Sequence, residues 1–125
     1  MPKVKHVKRD PKREGRITNE IVADCHDTEE QAMGWFSYLE DTLQFPFTAA
    51  CITQRAISPL RKGDEVEVLG MSGEGCEHEM FVEMLWEGKT LAVPLAQLKP
   101  IPSTDAKTKE AVADWHYWLE QGYEL

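Results

Sequence analysis

The stretch that decides the fold is Ala32-Met-Gly-Trp-Phe-Ser-Tyr-Leu-Glu-Asp-Thr-Leu-Gln-Phe-Pro-Phe47. Its apolar residues recur three or four positions apart, which places Trp35 and Leu39 on one stripe of a helix. Asp27 is a suitable N-cap for this helix, and Pro46 ends it because proline disfavours a helical residue before it. Two adjacent carboxylates lie near the helix end, so we expect this end to bind positive charge rather than to carry out catalysis.

Short strand signals and turn residues follow this helix. The predicted strands are Thr48–Ala56, Glu65–Leu69, Met80–Trp86, Thr90–Pro94 and, after a single 3₁₀ turn, Lys99–Ile101. Glu87 and Gly88 predict a tight hairpin between two of them. Short strands joined by a long loop, a tight hairpin and a 3₁₀ turn are typical of an SH3-like small β-barrel. The sequence therefore predicts the α+β class, with this barrel between an N-terminal-side helix and a C-terminal helix.

The two ends of the chain complete the predicted organisation. Residues 1–16 predict a flexible basic arm, because prolines and a glycine interrupt any regular pattern there. Ile17–Ala23 predicts a short strand, since it is rich in strand-forming residues. Ser103 or Thr104 is expected to cap the final helix. Residues 17–125 are therefore expected to form a single domain.

Charge is unevenly distributed along the chain. The first 16 residues carry seven basic and two acidic residues, a net charge of +5. The remainder carries seven basic and 20 acidic residues, a net charge of −13. The acidic body should repel nucleic-acid phosphates and attract cations. For the basic arm three interpretations remain open: contact with nucleic acid, contact with an acidic partner, or a solvated terminus that can also lean on the acidic body of the protein itself.

Composition and missing motifs argue against several classes of protein. The sequence has no run of 18 apolar residues, so it predicts no membrane span. The first residues lack the apolar segment of a secretory signal. Cys25, Cys51 and Cys76 are an odd number of cysteines without a framework spacing, so free thiols in a reducing, cytoplasmic location are expected. No phosphate-binding loop, dinucleotide motif or nucleophile motif is present, so we do not expect an enzyme.

Clustered carboxylates are the candidate chemistry of the acidic body. Ca²⁺ takes about six to eight oxygen ligands from carboxylates, carbonyls and waters. The clusters are Glu40 with Asp41, Asp64 with Glu65 and Glu67, and Glu74 with Glu77 and Glu79. Asp41 lies opposite the apolar stripe, beside the small residues Gly34 and Ser37, which leaves its carboxylate accessible. The EF-hand pattern is absent, so a calcium site must be assembled from separate segments, and simple solvation of these acids remains the alternative.

Two other interpretations stay open at this point. Cys25-His26 and Cys76-Glu-His78 supply zinc-type ligands, although their spacing is not that of a usual zinc site. An SH3-like barrel is also a common non-catalytic module for protein interaction. An aromatic groove near Trp86 and Tyr38 would favour that function, with no physiological calcium binding.

Much of the chain resembles a known family. The segments that carry the resemblance are Ala32–Ala49, Ile57–Met71, Cys76–Val82, Leu91–Ile101 and Asp114–Trp118. The run Leu39-Glu-Asp-Thr-Leu-Gln-Phe-Pro-Phe47 is long and specific. These segments resemble the cyanobacterial calcium-binding protein family, the CcbP-like proteins, from about Ile17 to Tyr123.

The resemblance implies a small acidic cytosolic protein that binds Ca²⁺ without EF-hands and acts as a buffer or a sensor. Residues 17–125 would then be one calcium-binding domain, and Asp41 is the first ligand to carry over because it lies inside the matching motif. The expected metal ligands are Asp41 and Glu40, with further oxygens from Glu77 and Glu79 or from Asp64 and Glu65, and with Asp114 as a remote candidate. Calcium is the expected ligand, an unidentified protein partner is also possible, and no membrane partner is expected.

Overall fold

The computed structural model describes residues 9–23, 25, 27–73, 76, 78–123 and 125. Within these residues the elements are α1 (Pro11–Arg16), a π-helical turn (Ile17–Ile21), α2 (Thr28–Thr42), β1 (Phe47–Cys51), β2 (Glu65–Met71), β3 (Phe81–Trp86), β4 (Lys89–Pro94), a 3₁₀ turn (Leu95–Gln97), β5 (Leu98–Pro100) and α3 (Ala106–Glu120). Helices and an antiparallel sheet share one chain, which confirms the predicted α+β class.

The sheet is a meander whose last strand returns to the first. Its order is β4-β3-β2-β1-β5, and every neighbouring pair is antiparallel. Glu87 and Gly88 turn the β3–β4 hairpin with positive φ angles of 48° and 77°, the left-handed backbone that tight hairpins require. Among the described residues β4 and β5 pair with β3 and β1 but not with each other. The sheet is therefore open, and the predicted SH3-like barrel is not confirmed.

One hydrophobic core lies between the sheet and the helices α2 and α3. The stripe predicted on α2 faces it, since Trp35 and Leu39 are fully buried and Leu43 is 4% exposed. The Trp35 ring lies 5.1 Å from the ring of Trp115 on α3, in an edge-on arrangement that aromatic pairs prefer. The sheet contributes the alternate residues Val66, Val68, Val82, Met84 and Val93. Burial of each large apolar side chain stabilises the fold by about 1.5–3 kcal/mol.

The predicted strand at Ile17–Ala23 is wrong, because Ile17–Ile21 forms a π-helical turn. Ile17 and Ile21 are four residues apart and each is 4% exposed, so a helical conformation turns both toward the core. Gly34 of α2 permits this packing, since a Cβ atom there would overlap the carbonyl oxygen of Ile21. Tertiary contact has overridden the strand preference of β-branched residues.

Residues 11–16 differ from the predicted flexible arm because they form α1. Asp10 caps this helix by accepting a hydrogen bond from the backbone N–H of Arg13 at 3.1 Å. The backbone N–H of Asp10 also donates to the hydroxyl of Tyr117 on α3, at 2.9 Å. No residue of α1 is buried, so polar contacts rather than apolar burial attach it. Residues 1–8, the rest of the predicted arm, lie outside the described part of the chain.

The helix caps are partly as expected. The Asp27 carboxylate accepts the backbone N–H of Glu30 at 2.9 Å, which confirms it as the N-cap of α2. The N-cap of α3 is Asp105, so the expected cap at Ser103 or Thr104 is wrong. None of the helices in the described residues is long and apolar enough to cross a membrane.

Candidate functional site

The C-terminal end of α2 carries the acid pair Glu40 and Asp41. Both side chains are exposed, and the last turn of α2 contains no basic residue. The backbone N–H of Leu43 still donates to the carbonyl of Leu39, and the extended backbone at Leu43 then ends the helix, so the carbonyl groups after Leu39 have no helical partners. Carboxylates and unpaired carbonyls at the negative end of the helix dipole are hard oxygen ligands that suit a divalent cation.

The N-terminus of α3 is joined to this end of α2 through one hydroxyl group. The backbone N–H of Gln44 donates to Oγ1 of Thr108 at 2.9 Å, and Oγ1 of Thr108 donates to the Asp105 carboxylate at 2.8 Å. Hydrogen bonds from the backbone and hydroxyl of Thr108 lower the pKa of Asp105, so this carboxylate stays charged. Sequence reasoning missed Asp105, although an acid directly before a helical run is a usual N-cap signal.

Strand register shows at which end of the sheet the remaining acids lie. Phe47, just after α2, pairs with Val68, whereas Ala50 pairs with Glu65. Asp64 and Glu65 therefore lie at the far end of β1 from Asp41. Met71 pairs with Val82, and Glu79, just before β3, forms an ion pair with Arg55, so Glu79 lies beside the β1–β2 connection that also contains Asp64. Ile101 donates to the carbonyl of Thr48, so the chain leaving β5 runs toward the end of the sheet next to the end of α2.

We call this end of the sheet, with Glu40, Asp41 and Asp105, the acidic end. Glu79 is half-buried and forms an ion pair with Arg55, so its charge is already partly neutralised. Glu74 and Glu77, which the sequence placed in the same cluster, lie outside the described residues. In the described part of the chain no three His, Cys, Asp or Glu side chains are grouped closely enough to hold a metal ion by themselves.

The opposite end offers a smaller set of acids. The Asp64 carboxylate accepts the backbone N–H of Arg61 at 2.9 Å, and it closes the turn that precedes β2. Glu65 and Glu67 are exposed and two residues apart, so both point from the outer face of β2, about 7 Å from each other. Glu83 on β3 faces the same side, and sequence reasoning did not single it out.

Asp114 lies among positively charged side chains that hold the helices together. It is fully buried on α3, where Arg16 donates two hydrogen bonds to its carboxylate, at 2.7 and 3.1 Å. Nε of Arg13 lies 3.1 Å from the same carboxylate, and the Tyr38 hydroxyl donates to it at 2.9 Å. Burial and the hydrogen bond to Asp114 raise the pKa of Tyr38. Two guanidinium groups already neutralise Asp114, so its surroundings do not suit a calcium ligand.

The cysteines and aromatic residues lie in packing positions. Cys76 donates to the carbonyl of Ser72 at 3.2 Å and accepts the N–H of Phe81 at 3.3 Å, while burial raises the pKa of its thiol. Of the other zinc-type residues, His26 lies outside the described residues. Tyr38 donates its hydroxyl to the buried Asp114, and Trp86 is the last residue of β3.

Comparison with known proteins gives consistent matches. A sequence model for a calcium-binding family, CcbP, matches residues 15–119. The crystal structure of Anabaena CcbP is similar over 95% of this chain and 98% of that protein, with 41% sequence identity and a TM-score of 0.84. A structure described as a calcium-binding protein in the calcium-binding form covers 94% of this chain and 96% of its own, with 40% identity and a TM-score of 0.81. No curated protein sequence matches the chain.

Proposed function

The chain belongs to the CcbP family of calcium-binding proteins, and from this membership we propose that it binds Ca²⁺ at the acidic end, as a cytoplasmic buffer or sensor without catalytic activity. Glu40 and Asp41 are the primary ligands in this proposal. The observation that carries it is the exposed acid pair at the C-terminal end of α2, in a last turn without a basic residue. The free thiols of Cys51 and Cys76 support the reducing location.

Electrostatics explains why this end should take up a cation. A negative side chain near a helix C-terminus is destabilised by the dipole by about 0.3–1 kcal/mol, and two adjacent carboxylates also repel each other. A divalent cation removes both penalties, and the net charge of −8 adds a long-range attraction. Binding is therefore driven by charge neutralisation at a rigid helix end.

Further oxygen ligands would come from neighbours at the same end. The nearest candidate is Asp105, because Thr108 joins its carboxylate to the backbone N–H of Gln44, two residues after α2. Glu79, in the β2–β3 connection, is a further candidate that would have to exchange its ion pair with Arg55 for the metal. Glu77 remains part of the proposal as a residue of the same connection. Asp64 and Glu65 would form a separate, weaker site, because the sheet register keeps them at the opposite end. Backbone carbonyls and waters would complete the coordination sphere of about six to eight oxygens.

An open site of this kind should have modest affinity. Few of its ligands are held in place before binding, and several waters would remain on the ion. We expect a dissociation constant of roughly 10⁻⁶–10⁻⁴ M. Ca²⁺ should bind more tightly than Mg²⁺, because Mg²⁺ demands near-ideal octahedral geometry and gives up its waters reluctantly.

The test is calorimetric titration of Ca²⁺ into the chelator-treated protein and three variants. Asp41→Asn should weaken the tightest site by about tenfold or more, a loss of about 1.4 kcal/mol. Glu29→Gln is the matched control, since it removes an exposed acid from the first turn of the same helix. Glu65→Gln reports on the opposite end of the sheet and should leave the tightest site unchanged.

Two results would reject the proposal. If Ca²⁺ releases no heat and shifts no spectrum at near-physiological salt, the protein does not bind calcium, and the interaction-module alternative becomes the better function. If calcium binds but Glu65→Gln weakens it and Asp41→Asn does not, the ion lies at the other end of the sheet. A buffer would show one conformation with and without Ca²⁺, whereas a sensor needs two conformations that differ in calcium affinity.

A further inference from the structure

A groove of about 490 Å³ lies between α3 and β5, with contributions from α1 and the segment after β1. Its apolar surface includes Ile52, Pro100 and Val112. Ile52 is 39% exposed, so part of its apolar side chain is available to a bound molecule. The volume is that of sites for small organic ligands, which usually lie between about 300 and 1,000 Å³.

The charge around this groove is opposite to that of the whole protein. Lys99, Lys109 and Arg13 line it, against the single carboxylate of Glu120, while the chain as a whole has a net charge of −8. The guanidinium group of Arg13 already forms an ion pair with the buried carboxylate of Asp114, at 3.1 Å. The remaining charges are two lysines and one glutamate, so the lining of the groove has a net positive charge. Lys109 donates one N–H to the carbonyl of Pro102 at 3.0 Å, which fixes its ammonium group without removing its charge.

His116 connects the apolar and charged parts of the groove. Its Nε2 lies 2.8 Å from the carbonyl oxygen of Leu98 on β5, so the ring is held in place. Burial lowers the pKa of His116, the charge of Glu120 raises it, and the charge of Lys99 lowers it further. Lys99 and Glu120 line the groove together with the His116 ring. The lysine of β5 and the C-terminal turns of α3 therefore meet at one mouth of the groove.

We propose that this groove binds a small organic anion, with an apolar body against Ile52 and Val112 and a carboxylate head at Lys99. Charge complementarity selects the anion, because a cationic ligand would meet the lysines of the rim. The apolar surface selects against small inorganic anions, which would gain nothing from burying it. This site uses none of the carboxylates assigned to calcium.

The test uses 4-phenylbutyrate and 4-phenylbutanol, which share an apolar body and differ in the charge of the head group. Amide NMR shifts of the isotope-labelled protein are followed during each titration, with a calcium chelator present. The carboxylate should shift signals of β5 and the second half of α3 and saturate in the millimolar range or below. The alcohol should bind at least about threefold more weakly.

Variants separate the groove from general attraction of anions. Lys99→Gln should weaken phenylbutyrate binding by about three- to fivefold, the range expected when one partly exposed charge is removed. Lys89→Gln, which changes an exposed lysine in β4 at the other edge of the sheet, should leave it unchanged. Ile52→Glu should abolish binding, and its unchanged spectrum elsewhere would show that the variant is folded.

Three outcomes would overturn the inference. They are the absence of saturable shifts from phenylbutyrate, equal binding of the alcohol and the acid, and equal weakening by Lys99→Gln and Lys89→Gln. Any one of them would mean that the groove does not recognise an anion. None of them bears on calcium binding, which is measured with other variants.

Discussion

Asp114→Asn is the sharpest test of how the helices are held together. The substitution keeps the shape of the side chain but removes the buried negative charge that faces both Arg13 and Arg16. Loss of one partner from a buried ion pair costs about 3–5 kcal/mol, because the remaining charge is left uncompensated. The two arginine side chains keep 25% and 23% of their surface exposed and can partly rehydrate. We therefore expect a loss near the lower limit, about 2–3 kcal/mol.

This loss is large enough to measure in two ways. With a urea dependence of about 1–3 kcal/mol per molar, the midpoint of unfolding should fall by about 0.7–3 M. The melting temperature should fall by about 6–15 °C. Because polar contacts attach α1, the variant should also become more sensitive to trypsin after Arg13 and Arg16. Glu110→Gln is the control, since Glu110 lies 3.8 Å from Arg16 on the surface and should contribute less than about 0.5 kcal/mol.

The same variant distinguishes a structural role from a metal-binding role. If Asp114 holds α1 and α3 together, Asp114→Asn lowers the stability of the calcium-free protein and leaves calcium affinity within about twofold, measured where the variant is folded. A calcium-free variant whose urea midpoint lies within about 0.3 M of the parent would refute this account. So would a large loss of calcium affinity without a loss of stability.

Two further changes should affect stability in directions that the structure sets. Gly34→Ala should destabilise the fold by about 1–3 kcal/mol in urea unfolding, since the new methyl group meets the carbonyl of Ile21; Gly15→Ala, with open space around it, should cost nothing. The pKa of His116 is lowered in the fold, mainly by burial, so the unfolded chain binds the proton more readily. The contribution of neutral His116 to the free energy of unfolding is therefore complete above about pH 6.5 and is lost as the pH falls below that value. His116→Gln should flatten the fall in urea midpoint between pH 7.5 and 5.5; an equal slope in both proteins would contradict this account.

Sequence patterns were most informative where the interactions are local. The stripe through Trp35 and Leu39 repeats with the helical period, and both residues are fully buried on α2. The Glu87-Gly88 turn requires a left-handed backbone, so it could be located from neighbouring residues alone. The N-cap at Asp27 is also a contact over three residues. Each signal depends on residues a few positions apart.

Prediction failed where residues distant in the sequence determine the conformation. Ile17–Ile21 has the composition of a strand, but burial against Gly34 of α2 makes it helical. The acid at position 114 was considered as a metal ligand, yet its partner Arg16 is 98 positions away. Asp105 was missed because its proximity to the end of α2 depends on a hydrogen bond between Gln44 and Thr108.

The sequence by itself determined the helices with strong periodicity, the tight hairpin, the acidic body and the family, because each follows from local geometry, composition or direct similarity. Only the tertiary structure decided which acids are free to bind an ion. Strand register places Glu65 at the end of β1 opposite to Asp41, and an ion pair with Arg55 partly neutralises Glu79. Packing of α1 on α3 surrounds Asp114 with guanidinium groups. A carboxylate has the same chemistry at every position, and its role is set by the charges that the fold brings within a few ångströms of it.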